Sequence, residues 1–339
     1  MVPNDVAAGN PRSVAQDISV ALCTYNGEKF IAEQLESILA QSLLPAQIVV
    51  SDDGSTDDTV AIVRGILTSL RMRDLGIVAH VETRSTPLGV TANFESAMAL
   101  CTGELIALCD QDDVWHPHKL ERLREVFRDE SVMAAHSDAR IVNAIGEPLR
   151  HSLFESLHVS RAEFRREAST SAFSTLVRRN LVTGATAMFR RSVFDSARPF
   201  PDAWVHDYWL AIVSSFQGRI VALREPLVDY RQHSGNLIGA SRVTVSSARI
   251  LLRQPLRERH ARSVSRLTEL LSRVDEEIVV PSPRDLRMLT KKLALERRRA
   301  AFPIGRKARL PHTLRELFAR QYHRYGRGFV DFVRDTWSS

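Results

Sequence analysis

The chain has 339 residues, 44% of them hydrophobic and 25% charged, which excludes a disordered or collagen-like chain and leaves room for one main domain with a smaller appended region. Its net charge of +6 is unevenly spread: residues 241–339 carry 23 Lys+Arg against 10 Asp+Glu, whereas residues 1–240 carry 23 against 30. A basic end on an acidic body points to an anionic partner, and no run of about 18 apolar residues is present to span a bilayer.

Residues 1–17 read as a flexible leader without the basic-then-apolar pattern of a secretory signal. From Ile18 to Cys23 an apolar run stops at Thr24-Tyr25-Asn26-Gly27, which predicts a buried strand and a turn. Ile31, Leu35, Ile38 and Leu39 then recur at helical spacing until Leu44-Pro45. Gln47–Ser51 is a second strand, ending in Asp52-Asp53-Gly54-Ser55, with a helix capped by Thr56 or Asp57 after it. Ile77–Val81 and Leu105–Cys109 are further strands, the second ending in Asp110-Gln111-Asp112-Asp113. Helices are expected over 91–100 and 116–127. Alternating strands and helices predict an α/β fold with a largely parallel sheet. Beyond these, a helix is expected over 205–216 and two short strands around Pro226. The region 241–339 reads as all-helical, with Phe318, Tyr322, Tyr325, Phe329 and Phe332 forming one aromatic stripe. Cys23, Cys101 and Cys109 lie in or beside apolar runs and read as reduced, buried thiols.

In α/β sheets, ligands bind beyond the carboxyl ends of the strands, and two of those ends here are aspartate clusters. Asp110, Asp112 and Asp113 repel one another unless a cation sits among them, and carboxylates suit Mg²⁺ or Mn²⁺. A D-x-D alone is also a common solvated turn. Asp53 can accept from a base or ribose; Thr24 and Tyr25 end the first strand beside it. The absence of G-x-G-x-x-G argues against a dinucleotide-binding oxidoreductase. Asp207, among Trp204, His206, Tyr208 and Trp209, is either a general base made basic by partial burial or the cap of a helix. Arg231 can grip a diphosphate, and His233 can ligate a metal or be structural.

In order and spacing, Val20–Gly27, Val49–Asp57, Leu88-Gly89-Val90 with Asn93-Phe94, Gly103–Ile106, and Asp110–Trp115 with Pro117 and Lys119-Leu120 resemble the family 2 inverting glycosyltransferases of GT-A fold. Gly184-Ala185-Thr186, His206–Trp209 and Tyr230–His233 resemble most the bacterial rhamnosyltransferase-like branch. The resemblance implies a Rossmann-like mixed sheet over residues 18–240, with a basic helical region over 241–339. It implies that Thr24, Tyr25, Asp53, Asp110, Gln111 and Arg231 bind the nucleotide donor, that Asp112 and His233 bind Mg²⁺ or Mn²⁺, and that Asp207 is the catalytic base. The implied donor is dTDP-rhamnose or a UDP-hexose, and the implied acceptor is a glycan or lipid-linked glycan of surface polysaccharide synthesis. His206 stands where a Glu is frequent in the family, and the processive Q-x-x-R-W signature is missing. The expected location is cytoplasmic, peripheral at an anionic membrane face. A nucleic-acid partner is not expected, since the strand ends carry acids rather than basic residues interleaved with aromatics. The competing readings are a non-catalytic nucleotide-sugar-binding module and a sugar nucleotidyltransferase.

Overall fold

A computed structural model describes residues 13–69, 74–233 and 256–337. Strands β1 (Ser13–Thr24), β2 (Leu43–Asp52), β3 (Val78–Thr83) and β4 (Leu105–Asp110) form the parallel half of a nine-stranded sheet. They are joined through α1 (Ile31–Leu39), α2 (Thr59–Leu67) and α3 (Val90–Leu100). The mixed half is β5 (Val114–Trp115), β6 (Val132–Val142), β7 (Pro148–Ser152), β8 (Ala187–Arg190) and β9 (Arg219–Arg231). The path across the sheet is β3-β2-β1-β4-β8-β6-β9-β5, with β7 beside β6. β4 meets β8 antiparallel, whereas β6 and β9 are parallel. This is the expected α/β architecture of GT-A type.

Along β1 the pleat sends alternate side chains to opposite faces. Val20 and Leu22 pack with α1, α2 and α4 (Lys119–Val126). Ala21 and Cys23 pack with α3, with α8 (Arg191–Ala197) and with α9 (His206–Gln217). Three short helices, α5 (Leu153–Ser156), α6 (Arg161–Glu167) and α7 (Phe173–Leu176), lie between β7 and β8 in the chain. All three cysteines are buried and free, as their apolar surroundings predict.

Three expectations are corrected. Residues 13–17, expected within a flexible leader, are strand, and residues 1–12 of that expectation lie outside the described residues. Pro45 does not precede β2 but lies in it, paired with Ala15, at a level where β3 has not yet begun; β3 enters opposite Gln47. The missing N–H therefore interrupts no ladder on that side. Pro226 does not divide two strands either. It sits inside β9 opposite Asp138, at a register shift where the ladder is already broken.

The C-terminal helices are α10 (Leu256–Asp275), α11 (Pro283–Ala300), α12 (Arg306–Phe318), α13 (Gln321–Tyr325) and α14 (Phe329–Trp337). Leu267, Leu270, Leu289 and Leu293 are buried in the same core as Phe94 and Trp209. Four leucines buried at about 1.5–3 kcal/mol each gain roughly 6–12 kcal/mol before entropy, which is the scale of a whole domain's net stability. The region is therefore a packed lobe. The aromatic stripe divides: Tyr322 and Phe332 are buried, while Phe318 is 80% and Phe329 60% exposed. Much of the basic charge is internal too. Arg299 donates to Asp335 Oδ2 at 2.5 Å and to Glu296 Oε1 at 2.7 Å. Lys292 reaches Glu296 at 2.7 Å, Arg259 reaches Asp335 at 2.7 Å, and His260 meets Glu296 at 2.6 Å. Tyr322 donates to Asp335 at 2.9 Å.

Burial alone would raise the Asp335 and Glu296 carboxyls, but Arg299 and the other cations outweigh it and hold both well below their ordinary values of 3.8 and 4.5. A lowered carboxyl stabilises the fold above its unfolded value, and that contribution is lost as pH falls toward the folded one. Urea denaturation should accordingly show stability dropping as pH falls from about 4.5. At pH 7, Asp335→Asn should cost about 3–5 kcal/mol, because it leaves Arg299 and Arg259 buried with too little negative charge.

Candidate active site

Because β1, β2 and β4 run parallel, their carboxyl ends share one edge: Thr24 pairs with Asp52, and Cys23 with Asp110. Asp52 shapes the turn, accepting from Thr24 Oγ1 at 2.7 Å and from the Ser55 N–H at 2.9 Å. Asp53 accepts from the Leu88 and Gly89 N–H groups at 2.8 and 2.9 Å, one on each carboxylate oxygen. Tyr25, half exposed, is held at its backbone by Gln111. Its N–H donates to Gln111 Oε1 at 2.8 Å, and Gln111 Nε2 donates to its carbonyl at 3.0 Å. The Gln111 amide so mimics one residue of a neighbouring strand. Gly27 makes room for it, since a Cβ there would lie 2.2 Å from Gln111 Oε1.

Beyond β4, Asp112 Oδ2 lies 2.8 Å from His233 Nε2. The His233 ring stacks on Phe30 at 4.8 Å. Asp113 Oδ1 accepts the Arg231 N–H at 2.9 Å, while its buried Oδ2 has no hydrogen-bond partner among the described residues. The Arg231 guanidinium donates to the Asp112 carbonyl at 2.8 Å, to the Ala144 carbonyl at 3.2 Å and to Glu33 at 2.6 Å, with Phe30 beneath it. Burial, then the charges of Asp112 and Asp207, push the Asp110 carboxyl up to about 7; Lys119 opposes them. Burial and the same crowding raise Asp113 well above the carboxylate range.

Asp207 stands in the first turn of α9, whose cap residue is Val205 and whose cap makes no side-chain bond. Its Oδ2 accepts the Gly184 N–H at 3.0 Å, and its Oδ1 accepts from Asn180 Nδ2 at 3.3 Å. Gly184 opens the 3₁₀ turn Gly184–Thr186 just before β8. Burial raises the Asp207 carboxyl to about 6, although the Gly184, Tyr208 and Asn180 donors pull it down. His206 is buried against Phe94, their rings 3.9 Å apart, and burial holds it neutral by lowering it to about 3. A Cβ on Gly184 would approach His206 Nε2 to 3.0 Å.

Residues 19–197, just over half of the chain, match the Glycosyl transferase family 2 model. The chain belongs to that family. An uncharacterised glycosyltransferase of Nostoc sp. is 28% identical over 65% of this chain and 66% of its own length, so the chain spans just under two thirds of that relative. The dTDP-rhamnosyl transferase RfbG of Shigella flexneri is 23% identical over 65% of this chain and 74% of its own. In structure, residues 1–349 of TarS of S. aureus, in complex with UDP, give a TM-score of 0.54 at 18% identity, covering 82% of this chain and 71% of that fragment. The mannosyltransferase PcManGT of Pyrobaculum calidifontis, in complex with GDP-Man and Mn²⁺, gives 0.51 at 18%, covering 92% and 79%.

Within this family 2 chain, the structure brings Asp110, Asp112, His233 and Asp207 to one edge with Thr24, Tyr25 and Asp53. Arg231 is buried and braces the aspartate loop: its N–H donates to Asp113, and its guanidinium to Glu33 and to the Asp112 and Ala144 carbonyls. Gln111 braces the Tyr25 backbone. Among the described residues no three His, Cys, Asp or Glu side chains converge on one ion. Asp112 and His233 offer two ligands of suitable chemistry, and among the described residues the buried Asp113 Oδ2 beside them has no hydrogen-bond partner. Two protein ligands fit an ion that fills its shell with water and phosphate. Asn180, Glu33 and Phe30 enter the site from contacts that no local motif predicts, and Lys119, part of the Lys119-Leu120 stretch that carries the resemblance, is bound to the Ala185 carbonyl.

Gly27→Ala should force the Gln111 amide off Tyr25. Two lost hydrogen bonds cost about 1–3 kcal/mol, and Gln111→Ala should cost a similar amount. The double variant should cost no more than either single one, because both remove the same interaction. Urea melts of the four proteins measure this, and additive losses would disconnect Gly27 from Gln111.

Proposed function

We propose that the chain is an inverting glycosyltransferase. It moves one sugar, L-rhamnose or a hexose, from a nucleotide-diphosphate donor to a hydroxyl of a glycan or lipid-linked acceptor in bacterial surface polysaccharide synthesis. The observation that carries this reading is the Asp207 carboxylate: enclosed, raised to about 6, and held by Gly184 and Asn180 near the charges of the Asp110–Asp113 loop. An alcohol is a poor nucleophile until its proton is taken, and a base near neutrality does this best. Asp207 takes the proton as the acceptor oxygen attacks the anomeric carbon, the glycosidic bond forms, and the bond to the diphosphate oxygen breaks. Asp112 and His233 would hold Mg²⁺ or Mn²⁺, which when bound neutralises charge on the departing diphosphate. Asp53, Thr24 and Tyr25 form the nucleotide end, with Asp110 toward the ribose. The name of the Shigella relative favours dTDP-rhamnose as donor, with UDP-hexoses second.

Nucleoside diphosphate release from a donor panel, with Mn²⁺ and an acceptor preparation, tests this. Asp207→Asn should lower kcat by about 10²–10⁴-fold with donor affinity nearly unchanged. The wild-type rate should fall on the acid side through about pH 6, as the Asp207 carboxylate takes up its proton. Equal loss of donor binding would make Asp207 a donor ligand instead.

We also propose that the C-terminal lobe rests on an anionic membrane surface from the cytoplasmic side. No helix among the described residues is long and apolar enough to cross a membrane. The exposed Phe318, Phe329 and Trp337 lie on α12 and α14, and Arg306, Lys307 and Arg315 of α12 and Arg320 just after it are exposed too. Apolar side chains that insert and basic ones near anionic headgroups, each worth about 1 kcal/mol, act together at such a surface. Removing the lobe would open the shared core, so point variants are the sound probe. Phe318→Ser with Phe329→Ser should cut cosedimentation with phosphatidylglycerol vesicles, and salt should release the wild-type chain. Binding indifferent to lipid charge would refute the surface.

A further inference from the structure

Lys119 opens α4, and its side chain is completely buried. Its Nζ donates to the Ala185 carbonyl at 2.7 Å and stands 3.5 Å from the centre of the Trp115 ring. Burying an ammonium costs several kcal/mol even after relaxation, and here a single carbonyl and a ring face receive it. Ala185 is the middle residue of the turn Gly184–Thr186, closed by the Thr186 N–H to the Thr183 carbonyl at 3.0 Å. The first residue of that turn presents its N–H to Asp207 Oδ2. Lys119 is therefore two hydrogen bonds from the Asp207 carboxylate. Its charge also acts on Asp110 and Asp113 from below the aspartate loop.

We infer that Lys119 is a positioning residue for the transfer: by holding the Ala185 carbonyl it fixes the turn whose Gly184 N–H orients the Asp207 carboxylate toward the acceptor. This rests on the reading of Asp207 as the base. The Gly184 bond stabilises the ionised carboxylate and so keeps the base active at lower pH than burial alone would allow. When the turn is released, the carboxylate loses both direction and this stabilisation. The acid limb of the rate profile then moves to higher pH, and kcat falls while the donor, bound elsewhere along the edge, is held as before.

The test compares Lys119→Met and Lys119→Gln with wild type on the full chain, measuring kcat, donor KM, the pH profile and the melting curve. Met removes both charge and donor. Gln keeps a neutral donor of similar reach and serves if the Met variant does not fold. Lys119→Met should lower kcat about 10–100-fold, the range for partners that orient a reacting group. Donor KM should stay nearly unchanged, and the acid limb should move upward; Lys119→Gln should do the same more weakly. In an Asp207→Asn background, Lys119→Met should lower kcat no further, because its effect runs through that carboxylate. A merely structural lysine would leave the acid limb in place and lower the rate by the same factor in both backgrounds, and that result would overturn the inference. Full activity of Asp207→Asn alone would instead overturn the assignment of the base, which separates the two failures.

Discussion

Mutual repulsion of buried carboxylates is the constraint on which the rest of this structure depends. Asp110, Asp112, Asp113 and Asp207 act on one another at the carboxyl edge of a parallel sheet, where burial makes each charge costly. The surrounding elements answer that repulsion one by one. Arg231 caps Asp113 and ties the loop to Glu33 and Phe30. Lys119 brings a cation from beneath, and His233 meets Asp112. What remains unanswered, including the Asp113 Oδ2 that has no hydrogen-bond partner among the described residues, is a demand that a divalent cation would meet, and that cation would in turn accept a diphosphate. An edge tuned this way is unstable as a bare loop but well suited to a charged substrate.

Asp207, the proposed base, is held in place by its neighbours in the chain as well. Tyr208, next to Asp207, donates to the Leu176 carbonyl at 2.5 Å, and Trp204 donates to the Arg266 carbonyl at 3.1 Å. The second bond ties the start of α9 directly to the C-terminal lobe. Leu267 and Leu270 of α10 share a core with Trp209 of α9, so the lobe contributes to the rigidity of the helix that carries Asp207 as well as to overall stability. The ion network around Arg299, Glu296 and Asp335 keeps those helices together. A functional carboxylate on a packed helix keeps its geometry better than one on a loop, which is what orientation of an acceptor requires.

On the proposed membrane reading, the two faces of the lobe do different work. Its inner face, with Leu289, Leu293, Tyr322 and Phe332 buried, is core. Its outer face leaves Phe318, Phe329 and Trp337 exposed beside basic residues. A flexible basic tail would bind an anionic surface without fixing the active site relative to it. A packed lobe would hold the edge carrying Asp207 at a set height above that surface, which suits an acceptor carried on a lipid.

How much was legible from sequence follows the range of the interactions. Buried parallel strands read as short apolar runs, and turns read as Asp, Asn and Gly, because both depend on near neighbours. The order of β1 to β4, the aspartate ends and the candidate residues Thr24, Asp53, Asp110, Asp112, His233 and Asp207 could all be picked out on those grounds. Pair spacing could not show that Pro45 and Pro226 sit in strands, since that depends on which rung of a neighbouring strand is vacant. Nor could it show that Arg231 turns inward, because its donors are taken by Glu33 and Ala144, far away along the chain. Helical periodicity predicted one aromatic stripe, but chain turns after Phe318 and Tyr325 leave Tyr322 inside and Phe329 outside. Lys119 stands out in the sequence only as part of the Lys119-Leu120 stretch, and its contact with the Ala185 carbonyl, 66 positions later, is visible only in the fold. Sequence by itself determined the local elements and the chemical identity of the strand ends. Tertiary structure alone decided which charges meet, because charge pairing depends on distance in space, and folding sets those distances.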